Sequence, residues 1–317
     1  MLYRLYGLVI NSEDQLNEVP PVAHDDFDII VRRMSSSGDP NSKSDWFMDW
    51  HLPGGEPWVS FGKMDGGYLL RFNELADFTI DKDGKEIICM PGSGIPEDTI
   101  QHLLLDQVIP LVINLRGGEA LHASAILTPH GVVAFAGSTG SGKSTVAGSL
   151  LKEGYPFVSD DCLTLLEKDK EIYAISAYPG LRLWNDAKVY LFGEDGNEKS
   201  VAHYTSKLRV DIGDKTDCYC SRPQPFKRLY DIANSSEDDK MTDIIIKKLT
   251  PRDSFMALVR CAFRLDITDQ TMLTRQFHFL ERIASIVSVR RLIFPRDFNF
   301  LTTVREAIIN DLKKLDN

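Results

Sequence analysis

A glycine-rich segment near the middle of the chain restricts the fold more than any other feature. It reads Gly-Ser-Thr-Gly-Ser-Gly-Lys-Ser over residues 137–144 and matches the pattern G-x-x-x-x-G-K-[ST] at every fixed position. The apolar residues 132–136 before it predict a strand, and residues 144–153 after it predict a helix that ends at Gly154. In such a strand, loop and helix, backbone N–H groups and the helix amino terminus bind phosphate. The sequence therefore predicts a phosphate-binding P-loop.

The P-loop motif assigns roles to individual side chains. Lys143 is expected to reach the β- and γ-phosphates of a nucleotide, and the hydroxyl of Ser144 is expected to ligate Mg²⁺. ATP and Mg²⁺ are therefore the predicted cofactors. The predicted nucleotide-binding residues are Gly137, Ser138, Thr139, Gly140, Ser141, Gly142, Lys143, Ser144 and Thr145.

Two adjacent carboxylates follow the P-loop helix. Residues 155–159 predict a strand that ends at Asp160 and Asp161. A helix of about ten residues carries the chain roughly 15 Å away from the phosphates, and a strand of about five residues at roughly 3.3 Å each returns it. We therefore expect both carboxylates beside the P-loop, on opposite sides of an extended segment, where one can hold Mg²⁺ and the other can accept a proton. The alternative is a turn with two solvated aspartates.

A predicted hairpin leads into the P-loop. Residues 121–127 and 132–136 read as strands on either side of a Thr-Pro-His-Gly turn. If Thr128 faces Gly131, pairing back along the hairpin sets His122 opposite Gly137. This register brings an imidazole into the neighbourhood of the P-loop, and leaves open whether that imidazole is functional or structural.

The charge balance excludes one class of partner. Acidic residues number 46 against 36 lysines and arginines, for a formal charge of −10, so neither nucleic acid nor an anionic membrane is expected to bind through bulk charge. No apolar run approaches the about 18 residues that cross a bilayer, and the amino terminus does not resemble a signal peptide. A cytoplasmic location is the default expectation. The five cysteines lack the paired spacing of a zinc site.

Strand and helix patterns divide the chain into two predicted domains. Residues 1–103 read as a β-rich unit and residues 104–317 as the P-loop domain, with the boundary near a helical pattern that Pro110 is expected to kink or end early. Three later segments, at 254–264, 272–286 and 301–315, have apolar residues at helical spacing. The polar residues 234–240 read as an exposed loop.

Three segments together resemble one known family. They are Leu-His-Ala-Ser at residues 121–124, the P-loop through Thr145, and Val-Ser-Asp-Asp at residues 158–161. In this order and spacing they resemble the catalytic domain of the HPr serine kinase/phosphorylase family and its related kinases. The resemblance implies an α/β (α+β) class with a phosphoenolpyruvate-carboxykinase-like P-loop kinase domain, which follows the β-rich unit.

The resemblance also implies roles for the residues outside the P-loop. Asp160 would be the general base towards a substrate hydroxyl, with Asp161 on the Mg²⁺ side and His122 supporting the catalytic carboxylate. Lys143 and Mg²⁺ would stabilise the charge of the transferring phosphoryl group. Two further basic residues are candidates for additional charge stabilisation: Arg182 and Lys207.

The expected function is transfer of the ATP γ-phosphoryl group to a serine hydroxyl of a protein or peptide. The chain lacks the Glu-Ile-Arg-Gly-Leu-Gly signature of HPr kinases and has Ser-Ala-Tyr-Pro-Gly-Leu-Arg at 176–182 instead. This difference brings in the related kinases that modify peptide natural-product precursors, for which the β-rich unit could present the substrate. A small-molecule kinase and a nucleotide-dependent binding module without transfer are the alternatives. The sequence leaves the oligomeric state open, a homo-oligomer included.

Overall fold

The computed structural model describes residues 1–24, 26–34, 44–51, 54–194, 199–212, 218–233 and 243–315. It is a mixed α/β structure with several sheets, as the α/β expectation requires, whereas the phosphoenolpyruvate-carboxykinase-like fold stays a prediction. The chain forms two compact units. The first comprises Met1–Gly118, Ala202–Tyr204 and Phe263–Arg275, and the second comprises Glu119–Val201, Thr205–Ala262 and Gln276–Asn317. The loop expected at 234–240 lies outside the described residues.

An eight-stranded sheet forms the first unit, in the order β1-β2-β3-β8-β7-β6-β5-β4. Its pairs are antiparallel except for β2 with β3 and β3 with β8. Alternate residues point into the core, as Phe78 and Ile80 do, and the ring of Phe72 meets that of Phe78 edge to face at 5.8 Å. The strands are β1 (Leu2–Leu5), β2 (Leu8–Ser12), β3 (Ile29–Arg33), β4 (Asp45–His51), β5 (Pro57–Met64), β6 (Gly67–Phe72), β7 (Ala76–Asp81) and β8 (Glu86–Pro91).

A helical segment lies at the end of Met1–Gly118, the longest continuous part of this unit. Helix α1 (Glu97–Leu103) continues through a π-helical turn at Leu104–Val108 into α2 (Ile109–Leu115). The expectation that Pro110 ends the helix early is wrong. The π-helical turn changes the hydrogen-bond pattern by one residue, so that Ile109 N–H donates to Leu104 O. This change comes immediately before Pro110, which has no N–H to donate. The expected domain boundary at 103/104 falls inside this helical segment.

The second unit contains a nine-stranded sheet and a three-stranded sheet. The larger sheet has the order β12-β10-β11-β18-β14-β13-β9, with β20 beside β18 and β19 beside β20; the smaller has the order β15-β17-β16. The strands are β9 (Glu119–Leu121), β10 (Ala123–Thr128), β11 (Gly131–Ala136), β12 (Phe157–Ser159), β13 (Leu163–Lys168), β14 (Glu171–Ile175), β15 (Gly180–Trp184), β16 (Lys199–Ser200), β17 (Lys207–Asp211), β18 (Gln224–Ile232), β19 (Ile245–Lys248) and β20 (Ser288–Ile293).

Strands β10 and β11 form the predicted antiparallel hairpin. Thr128 pairs with Gly131 and the register runs back to Ala123 opposite Ala136, which confirms the predicted register as far as that pair. The strand expected over 121–127 is interrupted at His122, which lies between β9 and β10 and outside the paired residues. On its other side β11 runs parallel to β18, and β18 runs parallel to β20. The carboxyl ends of these three parallel strands therefore meet at one edge of the sheet, and the P-loop begins at that edge.

Helices cover the large sheet on both faces, so β11 is buried on both sides. Val132, Ala134 and Ala136 pack with residues of α5 and α6, whereas Val133 and Phe135 pack with residues of α3 and α7. Among the described residues, no helix combines the length and apolarity that crossing a bilayer requires. The helices are α3 (Lys143–Lys152), α4 (Asn185–Phe192), α5 (Pro251–Cys261), α6 (Gln270–Ile286) and α7 (Leu301–Leu312), with 3₁₀ turns at Phe298–Phe300 and Lys313–Leu315.

Candidate active site

Two glycines give the P-loop its path between β11 and α3. Gly137 has φ of 147°, and a Cβ there would lie 2.9 Å from the carbonyl oxygen of Ile232. Gly142 caps the amino terminus of α3 in the left-handed conformation, with φ of 92°. Residues other than glycine rarely adopt these φ angles. The fixed glycines of the motif are therefore required by backbone geometry at both ends of the loop.

Lys143 lies buried against the loop that it follows. Its Nζ donates to the carbonyl oxygens of Gly137 at 3.0 Å and Ser138 at 3.2 Å. Burial lowers the pKa of Lys143, while the charges of Asp161 and Asp160 oppose that shift. Within the described part of the chain, Lys143 is thus held by carbonyl oxygens and has no carboxylate in direct contact, so an incoming phosphate can supply an anionic partner.

Asp160 receives hydrogen bonds on both carboxylate oxygens. Oδ1 accepts from the Ser124 hydroxyl and, at 2.9 Å, from the Ser144 hydroxyl. Oδ2 accepts from the backbone N–H of Arg182 at 2.9 Å. Burial raises the pKa of Asp160, and the adjacent charge of Asp161 adds to that effect. The predicted Mg²⁺ hydroxyl of Ser144 thus lies against Asp160, and not against Asp161 as the sequence interpretation placed it.

Asp161 lies in a turn and not on an extended strand. Its φ is 59°, so the expectation that two adjacent acids project to opposite sides of a strand is wrong. The turn closes through Cys162 N–H, which donates to Asp160 O at 2.7 Å. Although burial by itself raises its pKa, positive charge, foremost that of Lys207, holds the pKa of Asp161 well below its usual range. Asp161 is therefore ionised, with Lys207 Nζ 3.9 Å from Oδ2.

His122 supports the backbone of this turn. Its Nδ1 lies 2.9 Å from the carbonyl oxygen of Asp161, and because a carbonyl only accepts, Nδ1 carries the hydrogen. Its backbone N–H donates to Cys261 O at 2.6 Å, which ties β10 to the end of α5. Burial and the charge of Lys143 lower the pKa of His122 to about 4, so the imidazole is neutral near neutral pH. Because the imidazole contacts the backbone of Asp161, we infer that His122 positions the turn.

The two further basic candidates lie on the three-stranded sheet. Arg182 is on β15 and Lys207 is on β17. The guanidinium of Arg182 is buried and donates to the Tyr178 hydroxyl, while its backbone N–H serves Asp160. Lys207 Nζ lies over the ring of Trp184 at 5.9 Å and faces Asp161. Arg182 therefore acts on Asp160 through its backbone N–H and on Asp161 through its charge, and Lys207 acts on Asp161 through its charge.

The remaining predicted residues lie in the loop and the first turn of α3. Ser138, Thr139 and Gly140 are exposed, and Thr145 is half-buried in α3. The sequence reasoning missed Ser124, although it lies within the Leu-His-Ala-Ser segment that carried the resemblance. It also gave no role to Arg296, which donates to Gly140 O at 2.8 Å.

The loop and its neighbours fit a nucleotide with Mg²⁺. Ser141 Oγ is buried and, within the described part of the chain, has no hydrogen-bond partner. A Cβ built at Gly140 would meet nothing within 4 Å, so the tip of the loop is open. Ser144 and Asp160 supply a hydroxyl and a carboxylate, which are oxygen donors that Mg²⁺ takes together with substrate phosphates. Across the described ranges, no group of three or more His, Cys, Asp and Glu residues is arranged to hold a metal.

Comparisons with known proteins give a likeness in structure and none in sequence. No protein-family model matches the chain, and no curated protein matches it. The chain is similar to the solved structure of the HPr(Ser) kinase/phosphatase from Coxiella burnetii, at 12% sequence identity and a TM-score of 0.36. That likeness covers 62% of this chain and 99% of the other.

Proposed function

We propose that this protein is an ATP- and Mg²⁺-dependent phosphotransferase whose acceptor is a serine hydroxyl of a protein or peptide. The observation that carries the proposal is the hydrogen bond between Ser144 Oγ and Asp160 Oδ1, 2.9 Å long, at the base of a P-loop. It joins the hydroxyl that begins the P-loop helix to a buried carboxylate, and a second carboxylate, Asp161, follows in the chain. Phosphoryl transfer needs these three elements: a phosphate cradle, oxygen donors for a metal, and a proton acceptor.

The P-loop binds the nucleotide in this proposal. The N–H groups between Gly137 and Ser144 surround the phosphates, and the Ser141 hydroxyl gains the partner that it lacks among the described residues. Lys143 exchanges loop carbonyl oxygens for phosphate oxygens. Because Lys143 is buried, its charge acts with little screening by water.

Ser144 and Asp160 would hold Mg²⁺. When bound there, Mg²⁺ neutralises the charge that develops on the phosphates during transfer. This assignment exchanges the roles that the family resemblance implied for the two acids. It is supported by the bonding of Asp160, whose oxygens face Ser144 and the backbone of Arg182.

Asp161 would then be the proton acceptor. The serine oxygen forms a bond to the γ-phosphorus, the bond from that phosphorus to the oxygen of the departing ADP breaks, and the hydroxyl proton passes to Asp161. A lowered pKa makes Asp161 a weak base but keeps its carboxylate ionised, so that it can accept a hydrogen bond from the acceptor hydroxyl and orient it. Lys207 and His122 hold the carboxylate and the turn in place.

The acceptor can be identified directly. The purified chain is incubated with γ-labelled ATP, Mg²⁺ and candidate proteins or serine-containing peptides, and labelled products are located by mass spectrometry. We expect label on serine, and loss of label in Lys143→Ala but not in Lys152→Ala, an exposed lysine of the same helix. Binding of ATP without label on any acceptor would contradict the transferase and favour a nucleotide-dependent binding module. Label on a small-molecule hydroxyl would contradict the choice of acceptor alone.

The roles of the two acids separate in a matched pair of variants. Asp161→Asn is expected to lower the transfer rate by about 10²- to 10⁴-fold at saturating Mg²⁺ with Mg²⁺ dependence unchanged. Asp160→Asn is expected to raise the Mg²⁺ concentration needed for half-maximal rate and for nucleotide binding. Asp169→Asn is the control, since Asp169 also has a left-handed φ, of 53°, but is exposed. A shift in Mg²⁺ dependence for Asp161→Asn and not for Asp160→Asn would restore the original division of roles.

A further inference from the structure

Arg296 reaches the P-loop from a distant part of the sequence. It follows β20, and β20 lies parallel to β18, which lies parallel to β11. The segment after β20 therefore emerges at the same edge of the sheet as the P-loop. There the Arg296 Nη1 donates to Gly140 O at 2.8 Å, and Nη2 lies 3.5 Å from Ala233 O.

Among the described residues, the hydrogen bonds of the Arg296 guanidinium go to carbonyl oxygens only. Of the residues that the structure describes, none places a carboxylate oxygen within 4.0 Å of it. Other arginines of the second unit have such partners: Arg228 has Asp311, Arg260 and Arg291 have Asp231, Arg282 has Glu167, and Arg305 has Glu153. In a chain with ten more acidic than basic residues, this arginine is set apart from acids and held against a phosphate-binding loop.

The position of Arg296 suits an anion that arrives at the loop tip. The ring of Phe294 lies 5.9 Å from the guanidinium carbon, and a Cβ built at Gly142 would come within 3.5 Å of both Nη1 and Phe294. Partial desolvation by this packing lowers the pKa of Arg296, although a guanidinium still keeps its charge. Carbonyl oxygens carry only partial charge, so phosphate oxygens are better partners for it.

We propose that Arg296 binds the phosphate chain of the nucleotide, exchanging its hydrogen bond to Gly140 for bonds to phosphate oxygens at the open tip of the loop. The inference rests on the proposed nucleotide-dependent function. It adds to Lys143 a second cation from the same chain, which approaches the loop at Gly140 and Gly142. A planar guanidinium can donate two parallel hydrogen bonds to one phosphate, whereas a lysine acts as a point charge.

Equilibrium binding tests the assignment without requiring transfer. Dissociation constants of ATP and ADP, each with Mg²⁺, are measured for the wild-type chain, Arg296→Gln and Arg296→Lys. We expect Arg296→Gln to weaken ATP by about 10- to 100-fold, the usual effect of losing a charge-assisted hydrogen bond. ADP should weaken less, because it presents one phosphate fewer, and Arg296→Lys should fall between wild type and Arg296→Gln. Arg222→Gln, at an exposed arginine of the same unit, is the control.

Two outcomes would overturn the inference. Equal losses for ATP and ADP, together with a lower melting temperature, would mean that Arg296 only braces the loop through Gly140. Unchanged ATP affinity in Arg296→Gln would remove Arg296 from the site. Lys143→Ala separates this failure from that of the proposed function: if wild type and Lys143→Ala bind ATP equally poorly, the nucleotide site itself is wrong.

Discussion

Two clusters of buried acids in the second unit differ in how their charge is compensated. At the first, Asp311 Oδ2 accepts from Arg228 Nη1 at 2.5 Å and from the Tyr230 hydroxyl at 3.0 Å, and Arg228 also bonds Asp311 O. At the second, Asp160 is bound by hydroxyl and backbone donors, and Lys207 stands 3.9 Å from Asp161. The first cluster is an ion pair closed by direct contact. The second keeps its cations at a distance from its carboxylates.

This difference distinguishes cations that stabilise the fold from cations that can bind a ligand. Arg228 is 1% exposed, and its guanidinium donates to the Asp311 carboxylate of the same unit. Lys143 and Arg296, by contrast, end on carbonyl oxygens of the P-loop. A cation that is hydrogen-bonded to carbonyl groups can change partners when an anion arrives. The anion carries a full negative charge, whereas a carbonyl oxygen carries only a partial one, so the new hydrogen bonds are stronger. The following variants test this distinction.

The largest expected effect is on stability at the closed ion pair. Arg228→Met removes the cation in direct contact with the buried Asp311 carboxylate and leaves, among the described residues, only Arg290 Nε, 3.7 Å away, so it should lower the free energy of unfolding by about 3–5 kcal/mol. Urea unfolding measures this change. The double variant Arg228→Met, Asp311→Leu should recover most of it, because the buried carboxylate is removed together with its nearest cation. A loss below about 1 kcal/mol in the single variant would mean that this pair is no more structural than a surface pair.

The next effect is a pH dependence that originates at His122. Its folded pKa of about 4 lies below the ordinary 6.5, so the unfolded state binds a proton at a higher pH than the folded state does. The contribution to stability is present above about pH 6.5 and is lost as the pH falls towards about 4. The shift corresponds to about 3 kcal/mol. Unfolding of the nucleotide-free protein at several pH values measures it.

A matched variant isolates this contribution. His122→Asn retains an N–H that can donate to Asp161 O but does not titrate. The difference in unfolding free energy between wild type and His122→Asn should change across this pH window. A constant difference would show that His122 does not titrate between the two values.

The same substitution made at Lys143 should give the opposite pattern to Arg228. Lys143→Met removes a buried charge that ends on carbonyl groups, so the free energy of unfolding should change by no more than about 1 kcal/mol. ATP affinity should fall by about 100-fold. Calorimetric titration and urea unfolding of one preparation measure both. A stability loss as large as that of Arg228→Met would erase the distinction between the two clusters.

The smallest expected effect is at Ser124. Ser124→Ala removes one of the donors to Asp160 and leaves Ser144 and the Arg182 N–H, so we expect a loss of about 1.5 kcal/mol. Thermal unfolding measures it against Ser285→Ala, an exposed serine that bonds a helix carbonyl. Addition of Mg²⁺ and ATP should reduce the difference, if metal takes over as the partner of Asp160.

Local patterns predicted the parts of the site that are close in sequence. The P-loop glycines, the hairpin register and the strand before Asp160 all follow from periodicity and turn residues. These patterns did not predict that Ser144 contacts Asp160 and not Asp161, because that contact depends on the turn at Asp161, whose φ is left-handed. The approach of Arg296 to Gly140 was not predicted either, since it depends on the order of the parallel strands.

The contacts around the P-loop differ in sequence separation, and this difference has a consequence for folding. The bonds from Asp160 to Ser144 and Ser124 span only 16 and 36 positions, whereas that from Arg296 to Gly140 spans 156. Short loops close at a lower entropic cost than long ones. The turn at residues 160–162 and the P-loop are therefore expected to form together, early in folding. Arg296 is expected to join them late. Hydrogen exchange during refolding should protect the amides of α3 and β12 before those that follow β20.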